Sequence, residues 1–385
     1  MELLESNFNY KINSKTLKHF VSGFLLLYPM QDLEYIVVGL GIAGITFCEQ
    51  LERNNKSYIV FDKGETTSTL VSAGVINPVV LKRFTPVWNA KLHINTSLTF
   101  YRDLSKKLTV SLLDEIPMLR IFNNIEEQNN WVVASDKNEL SSFLFPEIIN
   151  NENPAIHAPF GLGKVNNTGT INTSLLISSY KENLLKNNKL INEVFDYTVL
   201  KEVDGKILYK EFQSKKIIFS EGASVRHNPF FPPPPKSGGK HLLIPNKGEY
   251  IIVKAPKLQL RAMVKSSLFI IPLGNDLYKV GATYSRENHS IHITNEAKEE
   301  LSSKLAKIIT CNFKVVDHIA GIRPTTRDRR PFLGTLKESE SKVFFNGLGT
   351  RGITSAPSLA KELYQYLENG VALHKEINIK RYYNW

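Results

Sequence analysis

Between Gln31 and Phe61 the chain switches character three times. An apolar run at Tyr35 to Val38 gives way to a glycine-punctuated turn, a helix-period stretch from Ile42 to Glu52, and a second apolar run at Tyr58 to Phe61. Short runs that are apolar at every position predict strands covered on both faces, as in a parallel sheet. Downstream, the spacing of Leu98, Tyr101, Leu104 and Leu108 predicts a helix over 92–108. Residues 109–164 mix Asn-rich loops with β-prone pieces at Leu119 to Phe122 and Trp131 to Ala134. A helix capped by Thr173 follows over 170–187, then strand material from Leu190 to Leu208. A buried strand at Lys216 to Phe219 runs into Ser220, Glu221 and Gly222.

The proline-rich segment Pro229 to Pro235, with Gly238 and Gly239, reads as a domain crossing. From Gly248 the pattern becomes alternating, at Tyr250 to Val253, Ser267 to Pro272 and Leu277 to Thr283, which predicts an antiparallel sheet with one covered face. An amphipathic helix over 295–309 and a strand at Val343 to Asn346 come next. A glycine turn at Gly347 to Gly352 then leads to a helix from Pro357 to Glu368, with Pro357 placed in its first turn.

The glycines carry the first chemistry. Gly39, Gly41 and Gly44 fit G-x-G-x-x-G between a strand and a helix, which permits a tight turn, close approach to a pyrophosphate and close helix packing. Asp62 lies 18 residues after Gly44, at the end of the second strand, where a carboxylate can accept hydrogen bonds from a ribose. Together these features predict a dinucleotide site. Ser72, Ala73 and Gly74 are small enough to let backbone approach a flat ligand. The Gly347 to Gly352 turn predicts a second close approach at a helix N-terminus.

At 385 residues the chain is long enough for two domains, and its hydrophobic and charged content excludes a disordered chain. The net charge of +11 favours anionic partners, but the lysines are scattered and read as a basic surface. Cys48 and Cys311 show neither disulfide nor metal spacing, so a reducing, cytoplasmic compartment is expected and no metal site. No apolar run approaches the ~20 residues of a membrane-spanning helix. Lys11, Lys15 and Lys18 precede an apolar stretch at Val21 to Tyr28, but Glu2, Glu5 and the lack of a cleavage pattern argue against a signal peptide. Residues 1–29 are expected to be an extension outside the fold.

Taken in order, the glycine motif, SAGVINP (72–78), IIFSEG (217–222), SLFIIPLGNDLYKVGATY (267–284), AGIRPTTRDRRPFLG (320–334) and NGLGTRGITSAP (346–357) resemble the blocks of the D-amino-acid oxidase/glycine oxidase family of FAD-dependent oxidoreductases. The resemblance implies an α/β fold: a discontinuous Rossmann-like FAD-binding domain over 30–108, 165–228 and 318–385, and an α+β substrate domain with an antiparallel sheet over 109–164 and 229–317. It implies noncovalent FAD, since no cysteine matches an attachment site. Gly39, Gly41, Ile42, Ala43 and Gly44 would hold the pyrophosphate, Asp62 and Lys63 the ribose, and Val194 the adenine side. Gly222 would approach the phosphates. Ser72, Ala73, Gly74 and Val75 would line the flavin ring, with Leu348, Gly349, Thr350, Arg351, Gly352, Ile353 and Thr354 capping its pyrimidine edge.

By the same resemblance Arg323 grips a substrate carboxylate, while Tyr284 and Asn77 lie nearest the reactive face. Phe269 stands where glycine oxidases carry a tyrosine, which puts free glycine in doubt as substrate. The implied reaction is oxidation of an amine, an amino acid or N-substituted glycine, with oxygen or another acceptor reoxidising the flavin. His227, His241 and His318 have no spacing that argues for a role. Three alternatives stay open. The TRD and NGLGTRGITSAP stretches are similar to the oxidase domain of the bifunctional tRNA wobble-uridine modifying enzyme, whose tRNA partner the basic charge would suit, although no methyltransferase domain fits in this chain. A non-catalytic flavin-binding protein is the second, and a nicotinamide-dependent dehydrogenase the third.

Overall fold

In the computed structural model the described residues are 20–21, 24–25, 30–64, 67–233, 242–287 and 290–384. The predicted extension over 1–29 falls outside them except for the pair Phe20–Val21 and Phe24–Leu25, and the proline-rich crossing is described only as far as Pro233.

A first sheet is built on the strand Gln31–Val38, which pairs in parallel with Tyr58–Phe61 on one side and Phe212–Phe219 on the other. Leu190–Ile191 extends it beyond Tyr58–Phe61, and Lys342–Asn346 pairs in parallel with the C-terminal half of Phe212–Phe219. Phe332–Thr335 closes that edge antiparallel, while the hairpin Lys201–Val203/Lys206–Tyr209 continues from the first half of Phe212–Phe219. In this register Phe61, Val38, Phe219 and Phe344 lie side by side. The four chains therefore leave the sheet at one level, where ligands bind in open parallel sheets.

Both faces are covered, as the unbroken apolar strands require. Helices Ile42–Arg53, Ala90–Leu108, Thr173–Lys186 and Gly352–Asn369 pack on one side through Phe47, Tyr101, Tyr180 and Leu359, all fully buried. The opposite face is largely aromatic: Phe195 stacks on Tyr209 at 4.1 Å, and Phe61 meets both rings edge-on.

The second sheet has seven strands, in the order Leu162–Val165, Met118–Ile121, Met263–Lys265, Phe269–Gly274, Leu277–Gly281, Asn246–Lys254 and Lys314–Arg323. It is antiparallel except where Met118–Ile121 runs parallel to Met263–Lys265. Helix Asn295–Ala306 seals one face over Ile251, Val253 and Val280 through Leu301 and Leu305. The other face looks toward the first sheet.

Three local expectations are corrected. Trp131 to Ala134 are helical, inside Ile125–Ser135: the Asn124 side chain accepts from the Glu127 N–H, and Glu127 accepts in return from the Asn123 N–H. This reciprocal cap outweighs the β-propensity of Trp131 and the two valines after it. The cap of the 173–186 helix is Asn172, because Gly169–Ile171 is a strand pairing with Val75–Ile76 and Leu113–Asp114. The last helix begins at Gly352, so Pro357 lies inside it and leaves the Ile353 carbonyl without its usual i+4 donor. The buried Tyr101 hydroxyl donates to that carbonyl at 2.8 Å, which accounts for a proline tolerated there.

Tyr101→Phe is therefore expected to lower the unfolding free energy by about 1–3 kcal/mol, the cost of an unsatisfied buried acceptor. Adding Pro357→Ala should recover part of the loss by restoring a backbone donor. Urea midpoints of the two variants check this; an unchanged midpoint for Tyr101→Phe contradicts it.

Candidate active site

A cavity of about 1030 Å³ opens between the ends of the parallel strands and the second sheet. It sits at the upper end of the size range of cofactor and small-molecule sites. All the expected site residues line it except Gly44. Gly44 acts from behind: a Cβ there would come within 2.1 Å of the Gly39 carbonyl oxygen, so glycine brings helix and turn together. Gly39 itself has φ +91°, and a Cβ would lie 2.7 Å from the Ser220 carbonyl oxygen. At Gly41 a Cβ would meet only the Thr69 hydroxyl, at 3.4 Å, leaving backbone open to the cavity.

The nucleotide end fits FAD on these observations. Thr69 Oγ1 accepts from the Ile42 N–H at 3.0 Å, and the next helical N–H groups have no carbonyl within the helix to bond. The Ser220 hydroxyl is buried without a partner on the same wall. A Cβ on Gly352 would sit 3.1 Å from Ile42 Cγ2, so the N-termini of two long helices come together on a wall that favours anions. Asp62 accepts from the Leu40 and Gly64 N–H groups at 3.0 and 3.1 Å and pairs with Lys181 at 2.7 Å. Lys181 carries no motif, and only the fold brings it to Asp62. Lys63 lines the same end, and Val194 forms its exposed rim.

Glu221 follows the strand Phe212–Phe219 and has no motif of its own, yet its carboxyl is enclosed. Tyr197 donates to one oxygen and Asn228 Nδ2 to the other at 2.9 Å. Burial pushes its pKa up to about 7, against the lowering effect of those two donors.

At the ring end, Ser72, Ala73, Gly74 and Val75 form one wall. Gly74 has φ +66°, and a Cβ there would lie 2.0 Å from the Ile171 carbonyl oxygen, so the glycine serves strand packing as well as ligand approach. The turn Leu348 to Thr354 forms the opposite wall. Arg351 from this turn donates to the Asn77 carbonyl at 3.4 Å, and burial holds its pKa down to about 10. The Asn77 side chain is spent locally: its amide donates to the Val79 carbonyl and accepts from the Val79 N–H, both at 2.9 Å.

Arg323 ends the last strand of the second sheet and folds back over Gly248, where a Cβ would come within 1.9 Å of the guanidinium. Asn246 Oδ1 accepts from Nη1 at 2.8 Å, and the Lys247 and Thr283 carbonyls accept at 3.3 Å. Among the described ion pairs no acid neutralises it, and Asp328 pairs with Arg381 instead at 3.0 Å. Gly248 and Asn246 escaped sequence reasoning because their part appears only when two distant strands pair. Tyr284 stands at the mouth, 54% exposed, with Arg323 and Arg286 at 5.9 and 5.8 Å from its ring. Phe269 lines the cavity beneath Lys265. Of the histidines, His227 lines the cavity, His318 lies 2.9 Å from the buried Glu249, and His241 is outside the described residues.

A carboxyl whose pKa rises on folding favours the fold below its unfolded value of ~4.3 and loses that contribution as pH climbs toward 7. Glu221→Gln is therefore expected to match the wild-type melting temperature near pH 4.5 and exceed it at pH 8, by roughly 2–3 kcal/mol in stability. A pH-independent difference in calorimetry contradicts this.

No helix among the described residues is long and apolar enough to cross a membrane. The family model described as DAO, FAD dependent oxidoreductase, matches residues 34–366. Glycine oxidase of Bacillus subtilis (strain 168) is 22% identical over 362 residues, covering 90% of this chain and 94% of that protein. The crystal structure of glycine oxidase from Geobacillus kaustophilus superposes with a TM-score of 0.73 at 17% identity, over 89% of this chain and 96% of that one. Iminodiacetate oxidase from Chelativorans sp. BNC1 gives 0.73 at 18% identity, over 89% and 98%. With a glycine-lined cradle for a dinucleotide and a family match over most of its length, this chain belongs to the DAO family of FAD-dependent oxidoreductases.

Proposed function

We propose that the enzyme oxidises the C–N bond of an amine that carries a carboxylate, an amino acid or N-substituted glycine. The observation that supports this most is Arg323, a guanidinium facing the cavity with neutral partners only. A half-buried guanidinium held by one amide and two carbonyls meets no acid there, and its planar fork suits a carboxylate. Glycine oxidase and iminodiacetate oxidase among the similar proteins act, by their names, on amines of this kind.

When bound, FAD supplies the two-electron acceptor to which the α-carbon gives up its hydride. Arg323 fixes the carboxylate, and with it the face the α-carbon presents. Asn246 and the Thr283 carbonyl orient the guanidinium, while Gly248 leaves it room. Phe269 and Tyr250 give apolar walls that exclude water and favour the neutral amine. N–H groups at the start of the Gly352–Asn369 helix, with Arg351 beside them, place positive potential at the pyrimidine edge. We further infer that residues 30–108, 165–228 and 318–385 act as the cofactor domain and 109–164 with 229–317 as the substrate domain.

Arg323→Lys is expected to weaken binding of a carboxylate-bearing amine by about 2–5 kcal/mol with FAD content unchanged. Gly248→Ala, which leaves Arg323 in place but takes its space, should do the same in direction. Stopped-flow flavin reduction at varied amine concentration checks both. Equal reduction by amines with and without a carboxylate in the wild type contradicts the reading.

A further inference from the structure

We propose that the substrate bears two carboxylates, the second held by Lys265 across the cavity from Arg323; the identity of this substrate as an amine rests on the function proposed above. The cavity side of the second sheet presents one row of directly opposed residues. Lys265 faces Phe269, Phe269 faces Gly281, and Gly281 faces Tyr250. Neighbouring strands are ~4.8 Å apart, so three steps separate the Lys265 and Tyr250 backbones by about 14 Å. Gly248, two residues from Tyr250 on the same face, carries the Arg323 guanidinium above it. Between the two cations lie two aromatic rings and a glycine, where a Cβ would strike Tyr250 Cδ1 at 2.4 Å. The result is an apolar trough with a positive charge toward each end.

The surroundings of Lys265 are those of a cation awaiting a counter-ion. Its ammonium donates to the Ser266 and Ser267 carbonyls at 2.7 and 3.1 Å and sits 4.8 Å from the Phe269 ring centre. Two of its three hydrogens are thus engaged and one remains. Burial, with Arg120 and Lys304 nearby, pushes its pKa down to about 8. Glu127 is already paired with Arg120 at 3.0 Å. The acids that line the cavity among the described residues, Asp62, Glu193 and Glu221, lie on first-sheet segments at the nucleotide end. A carboxylate beside Lys265 would offset the desolvation that burial in the apolar trough imposes. Lys279, the other buried lysine on this face, is capped by the Ser72 carbonyl at 2.7 Å and does not line the cavity. The preference is therefore assigned to Lys265.

The test needs no turnover. Holoenzyme is titrated with glutarate against butyrate, and pimelate against hexanoate, reading perturbation of the flavin visible spectrum. One dicarboxylate is expected to bind about tenfold tighter than the monocarboxylate with the same number of non-carboxyl carbons, from one added charge-assisted hydrogen bond. In Lys265→Met that ratio should collapse toward one, and in Lys265→Arg it should persist. Equal binding of the matched acids by the wild type, or a ratio that survives in Lys265→Met, overturns the proposal. A dicarboxylate preference in an enzyme that no amine reduces would leave this second site standing and remove the amine reading.

Discussion

Gly44 packs on the Gly39 carbonyl, and Gly39 on the Ser220 carbonyl, at separations no side chain could share. The site depends on this three-way backbone contact, because it draws the first helix down onto the ends of two neighbouring strands. Once it is made, Phe61, Val38, Phe219 and Phe344 end side by side, and the residues after them surround a single crevice. Gly352 extends the same logic by bringing the last helix against Ile42. Two helix N-termini then point into the same cavity, where their dipoles favour anionic groups.

Charge is distributed to match. The nucleotide end carries the cavity's acids, with Asp62 tied to backbone N–H groups and Lys181, and Glu221 enclosed where burial favours its neutral form. Elsewhere the cavity is lined by Lys265, Arg323 and Arg351 and by no acid among the described residues. Leaving three cations without carboxylate partners costs stability, and such costs collect where a ligand supplies the missing charge. The second sheet makes this possible by placing glycines at 248 and 281 on the face that looks into the cavity, so that the long side chains of Arg323 and Tyr250 lie across them.

The cofactor half of this arrangement was legible in the sequence because its signals are local. Gly39, Gly41, Gly44 and Asp62 fall within one strand–helix–strand unit, and the 347–352 turn announces itself by its glycines. What was not legible depends on distant pairing. Lys181 reaches Asp62 from another helix, Asn246 meets Arg323 only through strand register, and Tyr101 supports Pro357 from across the helical layer. Where a local signal existed and was passed over, as at Asn124 and Glu127, the bulky residues after it resembled a strand and the cap decided for helix.

The most direct test of the central claim is anaerobic mixing of the purified holoenzyme with carboxylate-bearing primary and secondary amines, protiated or deuterated at the α-carbon, while following flavin absorbance. The account predicts that the visible bands bleach and that α-deuteration slows the bleaching. A fully FAD-loaded protein that dithionite reduces, but that stays oxidised with every such amine, would contradict it.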